Sequence, residues 1–355
     1  DGEVRTCSRT ENAELFRLAI GGYGLFGVIA TVRLRLARRQ KVARVVRVVD
    51  VEELMPAFEE RIADGFTYGD FQFAIDPAGD DFLRQGVFSC YRPVDPATPI
   101  PAEQRVLSTE DWGKLLLFGH TDKRQAVDAY TAHYLATSGQ IYWSDTHQMS
   151  EYLDDYHLAL DHHMGAPAPA TEVITEIYVP RVALSAFMTA AREELLCREA
   201  DVIYGTIRLI ERDDETFLAW ARERFACVIF NLHVDHTPDR VERAASAFRA
   251  LVDLGIRFGG SYYLTYHRFA TREQVEMVEL TKQQRWDEAR AIWERILPLE
   301  EVVYGQPVRD YRARTKVALR LLGVIESTVM RPPLLATGPE TEVAVREALV
   351  AAGLC

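Results

Sequence analysis

Four glycines, Gly21, Gly22, Gly24 and Gly27, stand between an apolar helical start, Glu14-Leu-Phe-Arg-Leu-Ala-Ile20, and the β-branched run Val28-Ile-Ala-Thr31. Glycine reaches φ > 0 and has no side chain to hold a ligand away from the main chain. A cluster at such a junction therefore suits close approach of a cofactor to the backbone. A tight helix-to-strand turn that needs glycine only for sterics satisfies the same residues. Further along, Arg208 lies inside the apolar run Val202-Ile-Tyr-Gly-Thr-Ile-Arg-Leu-Ile210. A charge there needs a partner or an anionic ligand. The chemistry is either electrostatic contact with a bound molecule or an ion pair with Glu176 or Glu211. Glu176 and Tyr178, two apart in a strand, project to one face, which is either a site wall or a solvated surface. His267 follows Tyr262-Tyr-Leu-Thr-Tyr266. An imidazole titrating at about 6.5 suits proton abstraction near neutrality; a surface histidine at a strand end is the other reading.

Several chemistries lack their residues. The glycines follow a helix and precede a strand, the reverse of a dinucleotide fingerprint, and no phosphate-loop G-x-x-x-x-G-K-[ST] occurs. No G-x-S-x-G supports serine hydrolysis. His157, His162 and His163 have no H-E-x-x-H spacing, and His233 with His236 alternate poorly for one strand face and lack a third ligand, so no metal site is assigned. The net charge of −12 weighs against general affinity for nucleic acid or an anionic membrane. No apolar run approaches the ~20 residues of a membrane span. Cys7, Cys90, Cys197, Cys227 and Cys355 form no metal spacing and suit reduced thiols in a cytoplasm.

The elements that must position these groups follow from periodicity. A chain of 355 residues suggests about two to three domains. Residues 42–51 are β-rich, and 51–63 read as a helix with Asp50 as N-cap. Alternation predicts strands at Tyr68–Ile75 and Gly86–Tyr91. Residues 109–149 are a polar, partly helical connection, and Ala-Pro-Ala-Pro before Thr171 reads as a stiff link. Strands at 171–180, 202–210, 225–233 and 261–266 alternate with helices at 181–196 and 238–254, the latter capped by Thr237. This order predicts an antiparallel sheet with helices on one face. Arg33-Leu-Arg-Leu36 reads as an exposed alternating strand. Helices are expected again at 286–299, 312–323 and 339–352.

Taken together, the spaced glycines, the preceding Leu15-Phe16 and the strand Arg33–Leu36 resemble vanillyl-alcohol-oxidase-type FAD-linked oxidoreductases. The Tyr178-Val-Pro180 strand end, Ile207-Arg208, Phe217-Leu-Ala-Trp220 and Gly259-Gly260 before His267 extend that resemblance to residues ~1–275. It implies an α+β chain. Residues 1–40 would be the C-terminal part of an FAD-binding domain, with the family's N-terminal phosphate-binding half absent from this sequence. Residues 41–258 would be a substrate (cap) domain with an antiparallel sheet flanked by helices, and 259–275 a return strand. The implied cofactor is FAD, held by Gly21, Gly22, Gly24, Gly27, Val28, Ile29 and Tyr263. The implied substrate is a small alcohol, lined by Tyr178 and Tyr266 and oriented by Arg208 and Glu176. His267 would take its hydroxyl proton while hydride passes to flavin N5.

Residues 276–355 resemble instead the C-terminal helices of the dihydrodipicolinate synthase and N-acetylneuraminate lyase family, at Leu297-Pro-Leu299, Lys316 to Gly323 and Arg331-Pro-Pro-Leu334. No eight-fold βα pattern supplies that family's catalytic residues, so this segment is expected to be an all-helical appendage and an assembly surface for a homo-oligomer. A function of another class stays open: a flavin-free, non-catalytic fragment whose tail mediates oligomerisation.

Overall fold

The computed structural model describes residues 3–22, 26–146, 156–166, 170–217, 219, 221–262, 273, 276–277, 280, 283–306, 310–323, 325–330 and 335–354. The chain divides into two units. One holds Arg35–Asp214 and Trp220–Leu264; the other holds Asp1–Leu34, Glu215–Ala219 and Thr265–Cys355.

Alternating β-branched and aromatic residues build the first unit. Its strands are β1 (Lys41–Asp50), β2 (Tyr68–Phe73), β3 (Gln85–Pro93), β4 (Ile141–Trp143), β5 (Ala170–Pro180), β6 (Val202–Ile210), β7 (Phe225–Asp235) and β8 (Ser261–Tyr262). They pair antiparallel in the order β4-β1-β3-β2-β6-β7-β5-β8. Successive side chains point to opposite faces, and the two faces differ in chemistry.

On the first face, Phe71, Phe73, Phe88, Ile177, Val179, Ile207, Val228 and Phe230 form one apolar layer. Three helices cover it: α2 (Val51–Ala63), α6 (Leu184–Cys197) and α7 (Pro238–Arg257). Each presents apolar residues at helical spacing, such as Leu184, Phe187, Met188, Ala191 and Leu195 of α6. Thr237 caps α7 as expected, its hydroxyl accepting from Arg240 N–H at 3.4 Å. Asp50 precedes α2, but its side chain makes no capping bond.

The expectation of helices on one face needs correcting. The connection 109–149 contains α3 (Thr109–Thr121) and α4 (Lys123–Ala136), and α4 packs on β1 and β3. It meets their second face, where Arg44 reaches Thr137 just beyond its end. A full capping box starts α3: Ser108 Oγ accepts from Asp111 N–H at 3.1 Å, and Asp111 Oδ2 accepts from Ser108 N–H at 3.0 Å. The short α5 (Tyr156–Met164) follows β4.

A second correction concerns residues 27–40. They form no strand, and Val32, Leu34 and Leu36 are exposed. A strand needs a partner for its N–H and C=O groups, and both edges of the neighbouring β1 are taken by β3 and β4.

In the other unit, α1 (Ala13–Ala19) stands apart in sequence from three tail helices, α8 (Trp286–Tyr304), α9 (Tyr311–Leu321) and α10 (Pro339–Ala351). The tail helices share a small core of Leu299, Val303, Val317, Ala318, Val345 and Leu349. Buried Arg314 satisfies the carbonyls left over at the end of α8, donating to Gly305 O at 2.5 Å, Gln306 O at 3.1 Å and Val303 O at 3.4 Å. Lys316 Nζ donates to Val329 O at 2.6 Å, a structural use of its ammonium. Among the described residues, no helix is long and apolar enough to cross a membrane.

Candidate functional site

The second face of the sheet carries the polar groups. Register places Arg208, Cys227 and Tyr178 in one row across β6, β7 and β5, with Glu176 one pleat further along. Glu176 uses both carboxylate oxygens: Arg208 Nη2 donates to Oε1 at 2.9 Å, and the Tyr178 hydroxyl donates to Oε2 at 2.6 Å. Tyr178 is fully buried, whereas half of the Arg208 side chain stays exposed. Arg208 thus has the ion-pair partner that its strand demands and still faces solvent. The Cys227 thiol lies 3.9 Å from Glu176 Oε2. Burial pushes it up to about 12, the charge of Glu176 adds to that, and Arg208 opposes it. A thiol so held is protonated at neutrality and is no nucleophile.

Further along the same face, buried Arg44 sits in a cage of tyrosines. Its Nε donates to the Tyr91 hydroxyl at 2.9 Å and its Nη1 to Thr137 Oγ1 at 2.7 Å. Its guanidinium lies 4.8 Å from the ring centres of Tyr134 and Tyr142, within cation–π range. Asp70 shares this face, opposite Ser89 on β3. Thr206 Oγ1 donates to Phe71 O at 3.0 Å and stands 3.4 Å from Asp70 Oδ2. Burial pushes Asp70 up to about 6, against the pull of Thr206, Arg44 and Arg208.

At the far end of β5 stands a third group. His120 in the last turn of α3, Glu172 on β5 and His233 on β7 converge, with their ligand atoms all within 4.8 Å of one another. Burial alone would raise the Glu172 carboxyl; hydrogen bonds and charge from His120 and His233 outweigh it and hold the group well below the usual carboxylate range. His233 is raised by its hydrogen bond to Glu172, against burial, with Asp201, Glu172 and Asp235 adding charge.

Of the residues singled out in the sequence, Glu176, Tyr178 and Arg208 are brought together. Gly21, Gly22, Gly27, Val28 and Ile29 belong to the other unit. Gly22 serves its own helix end: its N–H donates to Ala19 O at 3.2 Å, and a Cβ there would run into Leu18 O. Gly27 is different. It has φ +151°, nothing among the described residues stands within 4 Å of where its Cβ would be, and Val28 and Ile29 beside it are exposed. In the same unit the turn at 215–217 is held by a bidentate Arg9–Glu215 pair at 2.6 and 2.9 Å and by an edge-on Phe26–Phe217 contact. Gly24, Tyr263, Tyr266 and His267 lie outside the described residues.

No family model matches the chain. Over 168 residues, 44% of its length, it is 30% identical to cytokinin dehydrogenase 4 of Oryza sativa subsp. japonica, covering 30% of that protein. A stretch of 48 residues, 14% of the chain, is 46% identical to cytokinin dehydrogenase 9 of the same plant, covering 9% of it. Part of this chain is therefore related to dehydrogenases, a class of oxidoreductase. The chain spans less than a third of the length of these curated relatives. Neither is a lyase, and the lyase likeness of the C-terminal helices finds no support in these matches.

Sequence reasoning missed Asp70, Arg44 and the convergence of His120, Glu172 and His233. Alternation in Tyr68–Phe73 places Asp70 opposite the apolar residues Phe71 and Phe73, which is a signal for a second, polar face. The pairing of Glu172 with His233 depends on strand register, which no local spacing reveals.

Proposed function

We propose that this chain is part of an FAD-linked oxidoreductase that removes hydride from the alcohol carbon of a hydroxylated small molecule. The carrying observation is the Glu176–Tyr178–Arg208 cluster, a half-exposed cation held in place on a polar sheet face, in a chain related over part of its length to dehydrogenases. FAD, when bound, supplies the two-electron acceptor. The residues fit it in part: Gly27 leaves its backbone uncovered beside Val28 and Ile29, whereas Gly21 and Gly22 turn a helix end. Gly24 and Tyr263 complete the proposed FAD contacts. The protein's own tasks are orientation and proton handling. Arg208 orients an oxygen-bearing substrate, Glu176 and Tyr178 fix Arg208, and Tyr266 lines the substrate. His267 takes the hydroxyl proton, and Asp70, raised to about 6, is a second group able to hold a proton near neutrality.

The test is flavin retention. The purified chain is mixed with FAD, desalted and scanned for the flavin absorption band, then given candidate alcohols. Retained flavin that bleaches with substrate supports the reading, and no retention refutes it for this chain.

A second reading has an observation of its own. Trp286 and Trp293, seven apart on α8, are both exposed. Such a pair on one side of a helix suits self-association of the tail. Light scattering of the full chain, with Trp293→Asp as comparison, separates the cases: a monomer in both sinks the assembly role.

A further inference from the structure

The cluster of His120, Glu172 and His233 lies at the opposite end of β5 from Tyr178, and the oxidoreductase reading makes no use of it. Its side chains are enclosed: those of His120 and His233 are 1% and 5% exposed. A hydrogen bond fixes where the lone pair of one ring points, and the surroundings of the other allow the matching tautomer. His120 Nδ1 lies 2.8 Å from Leu116 O. A carbonyl only accepts, so Nδ1 carries the proton and Nε2 is the lone-pair nitrogen of the neutral ring. That Nε2 stands 3.3 Å from Glu172 Oε1. His233 repeats the arrangement with its nitrogens exchanged. Its Nδ1 stands 3.4 Å from the same Glu172 Oε1 and its Nε2 3.5 Å from Asp235 Oδ1, so the neutral tautomer protonated on Nε2 turns the Nδ1 lone pair toward Glu172.

Each ring hydrogen-bonds Glu172 only through a proton on its facing nitrogen; in the neutral tautomers with protons on His120 Nδ1 and His233 Nε2, two imidazole lone pairs and a carboxylate oxygen converge instead. The nearby ammonium of Lys123 is engaged elsewhere, with Asp201, Gly119 O and Val202 O. An arrangement of electron-rich atoms in a dry setting calls for a cation at its centre. The spacing fits one. Ligand bonds of about 2.0–2.1 Å in a tetrahedron place the ligand atoms about 3.3 Å apart; the two separations from Glu172 Oε1 are 3.3 and 3.4 Å, and all three atoms lie within 4.8 Å of one another. A backbone carbonyl behind one ring and a carboxylate behind the other are the outer partners that metal-bound histidines take.

We propose that His120 Nε2, Glu172 Oε1 and His233 Nδ1 bind one divalent transition-metal ion of the zinc class, with a fourth position for solvent. Two neutral imidazoles and one carboxylate suit zinc better than calcium or magnesium, which prefer all-oxygen shells. The ion would tie the last turn of α3 to β5 and β7. The rival occupant of the same point is a proton, shared between a charged imidazole and the carboxylate.

The test uses the untagged full chain, stripped with a chelator and desalted. Zinc is titrated by calorimetry, and cobalt is added in parallel for its tetrahedral visible absorption. The expected result is one ion per chain. His120→Gln and His233→Gln should each weaken zinc binding by about 100-fold or more, since even outer-shell changes cost 10–100-fold. His162→Gln, at an exposed histidine of α5, should change nothing. A wild-type chain that takes up no zinc, or ligand variants that bind as wild type, overturns the site in favour of the proton. Should the variants fail to fold, the wild type alone decides: zinc must slow hydrogen exchange in peptides covering Leu116–Thr121, β5 and β7, and unchanged exchange there refutes the proposal.

Discussion

Replacing Asp70 by Asn should stabilise the sheet, and the gain should grow with pH. The carboxyl is raised from 3.8 to about 6 in the fold, so the folded chain binds its proton more tightly than the unfolded chain does. Between those two values the folded state carries more protons, and stability falls as pH rises. A raised acid is thus fully tolerated below about pH 4 and carries its whole penalty above about pH 6. A shift of about 2 units corresponds to about 3 kcal/mol at pH 7, and to about 1 kcal/mol at pH 4.5. Asn keeps the shape and can still meet Thr206, but has nothing to ionise. Asp70→Asn should therefore exceed wild type by about 1 kcal/mol at pH 4.5 and by about 3 kcal/mol at pH 7. The assay is hydrogen exchange read at peptides covering β2 and β6, wild type against variant at each pH, so that intrinsic exchange chemistry cancels. A variant less stable than wild type at pH 7, or a gap that does not widen between the two pH values, would refute the reasoning.

Three further perturbations separate positioning from stability. Tyr178→Phe removes a buried hydroxyl that donates to Glu176 at 2.6 Å; it should destabilise by about 1–2 kcal/mol, seen as faster exchange in β5 and β7. Arg208→Ala breaks a pair whose side chains are 50% and 23% exposed; it should change stability by about 1 kcal/mol or less, while abolishing turnover if flavin is retained. Arg314→Met strips partners from the carbonyls of Gly305 and Gln306. It should cost about 2–3 kcal/mol and speed exchange in α8 and α9, leaving the peptides of β6 and β7 at wild-type rates.

The strands were legible because their cause is local. Lys41–Asp50 alternates at period two and Phe225–Asp235 is a near-continuous apolar, β-branched and aromatic run, and both form strands where those patterns predict them. Thr237 was legible as a cap for the same reason. Arg208 could be read as needing a partner, and Glu176 as one of two candidates, because a charge in an apolar run is locally anomalous. Arg33–Leu36 misled because alternation is necessary for a strand but not sufficient; pairing is a tertiary matter. The histidine cluster was illegible for a sharper reason. His120 lies 52 residues from Glu172, and Glu172 lies 61 from His233. Metal motifs are recognised by ligands on one helix or one turn, whereas here the end of α3 and the β5–β7 register bring the atoms together.

The two faces of the sheet divide the work of the unit. The first, with Phe71, Phe88, Ile177, Val228 and Phe230 under three helices, supplies the burial that drives folding. The second places Arg44, Asp70, Glu176 and Glu172 where each must be desolvated and then compensated by a tyrosine, threonine, arginine or histidine. An apolar second face under α4 would fold more stably, because buried ion pairs seldom outperform well-packed hydrophobic residues. Stability alone therefore does not account for the second face. Arg208 turns half its surface outward although Glu176 already satisfies its charge, and Asp70 is kept in a setting that opposes its ionisation. A solvent-facing cation suits polar-substrate binding, and a carboxyl raised toward neutrality at a loss to stability suits proton transfer. If Asp70→Asn gains stability at pH 7 while lowering turnover, the loss is tied to function; if it gains stability with turnover intact, Asp70 belongs to the scaffold, and proton handling falls to His267 alone.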